Sequence, residues 1–165
     1  RYTGFLYAGL MINAEGAPKV IEYNCRFGDP ETQPIMMRLQ SDLVALCDAA
    51  IEGRLDTCTT EWDTRPAVGV VLAAGGYPGS YRKGDTISGP PSQEQETCKV
   101  FHAGTALDGD NVTSNGGRVL CATALGKDVT EAQANAYDLA SQINWEGSFY
   151  RTDIAYRAIE REKNL

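Results

Sequence analysis

The apolar residues of this chain fall into short runs, and the spacing within the runs changes along the sequence. Residues 5–13 are almost all apolar and end in a cluster of turn-forming residues, which predicts a buried strand. Residues 20–26 follow that turn and are rich in β-branched and aromatic side chains, which predicts a second strand. We expect the two strands to form an antiparallel hairpin.

Helical spacing appears in the middle of the chain and again near its end. Residues 34–39 and 41–51 are predicted as helices, with Ser41 capping the start of the second helix and Gly53 following its end. The sequence D-V-T-E at residues 128–131 has the form of a capping box. Apolar residues continue from it at helical spacing, which predicts a third helix.

Short strands dominate the region between these helices. Three strands and two turns are predicted there, the strands at residues 67–74, 99–107 and 117–125 and the turns at 75–79 and 108–111. A polar, unpatterned segment precedes them, so we place a domain boundary near residue 63 and predict domains of residues 1–63 and 64–165. Antiparallel strands combined with helices indicate the α+β fold class.

Composition and charge narrow the possible functions. The 165 residues carry a net charge of -7 with scattered lysines and arginines, so no basic stripe is available for nucleic acid. The absence of a long apolar run or signal peptide predicts a soluble, cytoplasmic protein without membrane association. Five cysteines, an odd number without a C-x-x-C pair, predict reduced thiols. Because the sequence begins at Arg1, we expect a fragment of a longer protein.

The second predicted strand carries the strongest chemical signal in the chain. Side chains alternate along a strand, so Glu22, Asn24 and Arg26 project from one face. Carboxylate and amide oxygens are hard ligands that suit Mg²⁺ bound to nucleotide phosphates, and an arginine can form two parallel hydrogen bonds to a phosphate. A solvated strand face is the alternative interpretation. The other face is apolar and is expected in a core: Ile21, Tyr23 and Cys25.

The loop after this strand favours a binding site over a solvated face. The sequence F-G-D-P-E-T-Q at residues 27–33 places a flexible glycine and a proline-stiffened polar turn at the end of the strand. Such a loop can direct backbone N–H groups towards an anion.

Residues 19–34, K-V-I-E-Y-N-C-R-F-G-D-P-E-T-Q-P, resemble the glycinamide ribonucleotide synthetase (phosphoribosylamine-glycine ligase) family of ATP-grasp enzymes in purine biosynthesis. The pattern E-x-N-x-R is shared by many ATP-grasp ligases, whereas R-F-G-D-P-E-T-Q is more specific to this family. Three further stretches are similar to the family: G-F-L-Y-A-G-L-M at 4–11, S-N-G-G-R-V-L at 114–120 and Y-R-T-D-I at 150–154.

The resemblance implies the C-terminal half of an ATP-grasp domain followed by a small α+β domain. It implies that the intact enzyme joins glycine to 5-phosphoribosylamine through a glycyl phosphate, consuming ATP, and that the fragment alone is inactive without the missing N-terminal part. The implied ligands of Mg²⁺ or Mn²⁺ are Glu22 and Asn24, and the implied catalytic residue is Arg26. The implied substrate-binding residues are Gly28, Asp29, Pro30, Glu31, Thr32 and Arg118. No acid stands at residues 8–10, where many ATP-grasp enzymes carry a second metal ligand.

Several alternatives stay open at this point. The enzyme could be another ATP-grasp ligase of the purine pathway, or the chain could be a folded interaction module without catalysis. Residues 75–79 favour a turn over a phosphate loop, because no G-K-[ST] motif follows. His102 has no triad-like partners nearby and is expected on a strand surface. Arg118 belongs either to a simple hairpin turn or to a substrate cleft.

Overall fold

The computed structural model describes residues 2–89 and 95–164, which form two compact units. The first unit contains Arg1–Thr32 and Leu39–Trp62, and the second contains Gln33–Arg38 and Asp63–Leu165. Antiparallel strands and helices occur together, so the predicted α+β class is confirmed.

An antiparallel hairpin opens the first unit, as the sequence predicts, but the expected burial of its first strand is wrong, since Leu10, Met11 and Ile12 are 48%, 60% and 56% exposed. Strand β1 (Tyr7–Ile12) pairs with β2 (Pro18–Asn24), and the register sets Tyr7 opposite Asn24 and Gly9 opposite Glu22. The Asn13 side chain accepts a 2.7 Å hydrogen bond from the Ala17 amide and closes the turn. An irregularity after Gly9 shifts the pairing by one residue, which ends strict alternation towards the turn.

The expected burial of the apolar face of β2 is wrong. Ile21 is 65% exposed and Tyr23 is 60% exposed, and Cys25 is exposed as well. The physical reason is that a strand face becomes a core only when a second layer covers it. The hairpin is a two-stranded sheet, and in the described part of the first unit no helix or sheet covers this face.

Two α-helices and a short 3₁₀ turn follow the loop. Helix α1 spans Thr32–Arg38, α2 spans Leu43–Ile51, and the 3₁₀ turn spans Leu55–Thr57. The cap of α2 is Asp42, whose carboxylate accepts from the amides of its first turn.

Ser41 was expected to cap α2, and that expectation is wrong. Its hydroxyl instead accepts a 2.7 Å hydrogen bond from the Glu61 amide. The N-cap is Asp42, the residue that directly precedes the helix. Gly53 follows the helix end with φ +74, as expected for a left-handed glycine.

A three-stranded antiparallel sheet is the centre of the second unit. Strand β7 (Arg118–Leu125) lies between β3 (Ala67–Ala73) and β4 (Cys98–His102). A separate hairpin is formed by β5 (Thr105–Asp108) and β6 (Asn111–Ser114). Helices α3 (Val129–Ser141) and α4 (Tyr156–Glu162) complete the unit.

The single strand expected at residues 99–107 is broken into β4 and β5. The amides of Ala103 and Gly104 both donate to the Val119 carbonyl, which interrupts the ladder. A Cβ on Gly104 would lie 2.8 Å from the Cα of Gly116, so the backbones approach too closely for any side chain there.

The core of the second unit forms where α3 packs on the sheet. Its buried apolar side chains include Val68, Val70, Leu72, Val119, Leu120, Ala122, Ala124, Ala132, Ala136, Leu139 and Ala140. Gly69 projects to the opposite sheet face, where Pro34 of α1 lies against it. No helix in residues 2–89 and 95–164 is long and apolar enough to cross a membrane.

Candidate functional site

Glu22 and Asn24 lie at the end of β2, whereas the predicted extension of the strand to Arg26 is wrong, because the chain bends after Asn24 and places Arg26 beyond the strand. Arg26 donates a 2.8 Å bond from Nη1 to the Phe27 carbonyl and a longer 3.4 Å bond from Nη2 to Asn24 Oδ1. A Cβ on Gly9 would lie 3.1 Å from Glu22 Cγ, so the glycine leaves room for that side chain across the hairpin. The arrangement places the Arg26 guanidinium beside the Asn24 amide oxygen.

The loop after β2 is folded tightly onto its own backbone. The Gly28 carbonyl accepts from both the amide and the hydroxyl of Thr32, at 3.1 and 2.6 Å. The rings of Phe5 and Phe27 stack with centroids 4.0 Å apart, which fixes the start of the loop beside β1. The conformation of the loop is therefore fixed by contacts within the chain itself.

Glu31 lies inside this loop, with its carboxylate directly against Gly28. A Cβ at position 28 would overlap Glu31 Oε2, and Gly28 itself is buried. Asp29 is exposed and Pro30 is half-buried between these two residues. Of the predicted loop residues, Gly28 is the one that lies against this carboxylate, while Thr32 is bonded to the Gly28 carbonyl.

Tyr7 was not identified from the sequence, yet it belongs to this group. Its hydroxyl lies 3.3 Å from Glu31 Oε1 and donates to it. The negative charge of Glu31 raises the pKa of Tyr7 above 10.0, with burial, the hydrogen bond and Glu22 adding to the shift and Arg26 opposing it. The signal that could have revealed it is the hairpin register, which sets Tyr7 opposite Asn24.

The donor set on the strand face fits a divalent cation that keeps several non-protein ligands. Within the described residues, the Glu22 side chain makes no hydrogen bond or ion pair, so its carboxylate is available. Asn24 Oδ1 accepts only the long bond from Arg26, which leaves a lone pair. No group of three or more His, Cys, Asp or Glu side chains with metal-site geometry occurs in residues 2–89 and 95–164. Two hard oxygen ligands suit Mg²⁺, whose remaining positions are taken by water and phosphate.

Arg118 lies in the second unit, at the first position of β7. Its Nε donates a 2.9 Å bond to the Tyr77 hydroxyl, and its guanidinium lies 5.9 Å from the centre of the Tyr77 ring. A Cβ on Gly117 would overlap that ring, so the glycine permits the contact. Its grouping with the loop of the first unit stays a prediction.

The remaining candidates behave as ordinary structural residues. His102 is exposed at the end of β4, with Nδ1 2.9 Å from Thr105 Oγ1, as expected for a strand surface. Residues 75–79 form a turn, in which the Gly79 amide bonds the Gly76 carbonyl at 2.8 Å.

Comparisons with known proteins identify the class and then the family. Residues 1–32 match the sequence model described as the Phosphoribosylglycinamide synthetase, ATP-grasp (A) domain, and residues 67–157 match that of the Phosphoribosylglycinamide synthetase, C domain. The hairpin lies within the ATP-grasp match and most of the second unit lies within the C-domain match, which together place the chain in the ATP-grasp class of ligases. The match to the C-domain model covers more than half of the 165 residues of the chain. The chain belongs to the phosphoribosylglycinamide synthetase family.

Individual relatives agree with this assignment. The chain is 71% identical over 98% of its length to the phosphoribosylamine–glycine ligase of Vibrio cholerae and 66% identical over 99% to that of Salmonella typhimurium. The crystal structure of the Thermotoga maritima ligase superposes with a TM-score of 0.73 at 38% identity, covering 90% of this chain and 36% of that chain. The chain spans 38% of the length of the two curated relatives.

Proposed function

We propose that this chain supplies one wall of the active site of a phosphoribosylamine–glycine ligase. In the reaction, a glycine carboxylate oxygen attacks the γ-phosphorus of ATP and ADP leaves. The amine of 5-phosphoribosylamine then attacks the carbonyl carbon of glycyl phosphate and phosphate leaves, giving glycinamide ribonucleotide. The observation that carries the proposal is the joined strand face and loop, Glu22 to Thr32, in a chain 71% identical to a ligase of that name.

Glu22 and Asn24 would hold the divalent cation, Mg²⁺ or Mn²⁺, through oxygen atoms on one strand face. When bound, such an ion neutralises charge on the ATP phosphates during phosphoryl transfer. The exposed Glu22 carboxylate contributes the charge, and Asn24 contributes a neutral ligand two residues further along the strand. Their spacing along β2 sets the separation of the two oxygens.

Arg26 would stabilise negative charge on the transferred phosphoryl group or on the acyl phosphate. Its Nη1 is already tied to the Phe27 carbonyl, so the plane of the guanidinium is set in advance. A preorganised cation of this kind acts without reorganising as charge develops.

The loop residues Gly28 to Thr32 would bind 5-phosphoribosylamine, and Arg118 stays a predicted substrate-binding residue of the second unit. Residues 1–63 would act as the end of the ATP-grasp domain and residues 64–165 as the small C-terminal domain of the ligase. The partners are then ATP, glycine, 5-phosphoribosylamine and the remaining part of the same enzyme, in the cytoplasm.

The test is a chimera in which this chain replaces the matching 38% of the Vibrio cholerae ligase. We expect the chimera to release ADP in a manner that requires glycine, 5-phosphoribosylamine and Mg²⁺ or Mn²⁺ together. Glu22→Ala in the chimera should abolish turnover while circular dichroism stays unchanged, and the isolated chain should give no turnover.

A folded chimera without ligation would overturn the proposal. Turnover only with a different carboxylic acid or a different amine would assign the chain to another ATP-grasp ligase. Near-normal activity of the Glu22→Ala chimera with the same metal requirement would contradict the assigned role of Glu22.

A further inference from the structure

We infer that Tyr7 is a positioning residue, which holds the Glu31 carboxylate over Gly28 so that it accepts a hydrogen bond from a donor group of the substrate. The inference rests on the proposed function and adds a residue to that site. The donor chemistry is an ammonium, amine or hydroxyl group, present on glycine and on 5-phosphoribosylamine.

Glu31 is held at one oxygen and open at the other. Oε1 accepts from the Tyr7 hydroxyl, while no described residue donates to Oε2. Glu31 is half-buried, and a half-buried carboxylate with an unused oxygen gains from a further donor. The unused oxygen is the one that lies against Gly28.

The glycine at position 28 is independent evidence that the Glu31 carboxylate occupies a defined position. Its φ does not lie in the left-handed region, so the backbone at this position accepts an alanine. What an alanine Cβ would meet is the Glu31 side chain itself, at Oε2 and Cδ. Glycine is therefore required at position 28 because it leaves space for the Glu31 carboxylate, and not because the backbone adopts a conformation that only glycine tolerates.

The hydrogen bond from Tyr7 to Glu31 is long, so it contributes little to folding and its main effect is to orient the carboxylate. Its 3.3 Å exceeds the roughly 2.7–2.8 Å typical of strong O–H···O bonds. The loop is already closed by two bonds from Thr32 to the Gly28 carbonyl, which do not depend on Tyr7. Removing the hydroxyl should change where the carboxylate points more than whether the loop folds.

The experiment uses the active chimera with Tyr7→Phe, Glu31→Gln, the double variant, and Gly28→Ala. Tyr23→Phe is the matched control, a 60% exposed tyrosine on the neighbouring strand. KM is measured separately for glycine, 5-phosphoribosylamine and ATP, with kcat and the unfolding midpoint.

We expect Tyr7→Phe to raise the KM of one of the two acceptor substrates about threefold to tenfold, as the loss of one hydrogen bond would. The KM of ATP and the unfolding midpoint should stay unchanged. Gly28→Ala should raise the same KM, and Tyr7→Phe should have no further effect in the Glu31→Gln background. A raised glycine KM identifies the ammonium as the donor, and a raised phosphoribosylamine KM identifies the ribosylamine.

Unchanged KM values in Tyr7→Phe, or equal effects in the presence and absence of Glu31, would overturn the inference. A lowered unfolding midpoint with all KM values unchanged would show that Tyr7 only braces the fold. Failure of the inference is distinct from failure of the proposed function, because the parent chimera is active in the first case and inactive in the second.

Discussion

At the scale of single residues, the candidate site is fixed mainly by bonds to backbone carbonyls. Arg26 is held by the Phe27 carbonyl, and Thr32 is held by the Gly28 carbonyl. Backbone acceptors move less than side chains, so these contacts set the geometry before substrate arrives. The chemistry then depends on the shape of each side chain as well as on its charge.

Replacement of Arg26 by lysine tests that dependence. Lysine keeps the charge and loses the planar fork, so two parallel hydrogen bonds to a phosphoryl group are no longer possible. In the chimera we expect kcat to fall by at least about tenfold, because the interaction matters most in the transition state. The measurement compares kcat with the Kd of ATP. Equal losses in both, or none in either, would show that Arg26 only covers a solvated strand face.

Asp63 provides a residue-scale prediction for the second unit. Its carboxylate accepts from the Arg65 amide at 2.8 Å and from the Arg65 guanidinium at 2.6 and 3.0 Å. These bonds lower the pKa of Asp63 from 3.8 to about 2. The ionised form is therefore favoured in the folded state. Its contribution to stability is complete above the unfolded pKa and is lost as the pH falls from 3.8 towards 2.

Asp63→Asn should accordingly destabilise the chain at pH 6 and have little effect near pH 2. Urea unfolding at a series of pH values checks this, with Asp56→Asn, an exposed residue of the 3₁₀ turn, as the control. A constant difference between the Asp63→Asn protein and the parent across the whole pH range would contradict the assignment.

At the scale of elements, α3 shows how local sequence can determine structure. Asp128 accepts a 2.8 Å bond from the Glu131 amide, and Glu131 accepts a 2.6 Å bond from the Lys127 amide. The predicted helix start is confirmed, although the return bond from Glu131 goes to the amide of Lys127, the residue before the cap, and not to the cap itself. The apolar face that starts there is buried against β3 and β7.

Asp128→Ala removes the cap and should lower the free energy of unfolding by about 1 kcal/mol, within a range of roughly 0.5–2. Urea unfolding of the whole chain is the measurement. Thr130→Ala, at an exposed position in the same turn, should have a much smaller effect. Comparable losses in both variants would mean that helix propensity, and not the cap, is the cause.

Elements whose bounds depend on the local sequence pattern could be predicted from the sequence. Elements whose bounds depend on contacts with residues distant in the sequence could not. The hairpin and α3 follow from apolar spacing and turn residues near them in sequence. The break at Gly104 depends on the close approach of Gly116, and the cap of α2 depends on a bond from Glu61 to Ser41. In the site, Glu22 to Thr32 form one stretch of sequence, while Tyr7 joins it only through the pairing register.

At the scale of the whole molecule, burial is concentrated in the second unit. Among the described apolar side chains that are buried, Ala49 alone belongs to the first unit. Local stability follows buried contacts, so the two units should differ in how easily their backbones open.

Hydrogen exchange of the isolated chain checks this difference. We expect amides of β3, β7 and α3 to exchange only through global unfolding, and ladder amides of β1 and β2 to exchange at least about a hundredfold faster. Peptide-resolved mass spectrometry separates the two sets. Equal protection of both would mean that the hairpin is stabilised by contacts other than burial of its own residues.

The exposed apolar face of β2 also affects the tendency of the chain to associate with other copies of itself in solution. Ile21 and Tyr23 expose most of their surface to water on a sheet that has two strands in the described residues, a combination that favours self-association. The net charge of -7 opposes this through repulsion between molecules. That repulsion is screened over roughly 8 Å at physiological ionic strength and over shorter distances as salt rises. Solutions of this chain should therefore stay clear in dilute buffer and become turbid as salt is added.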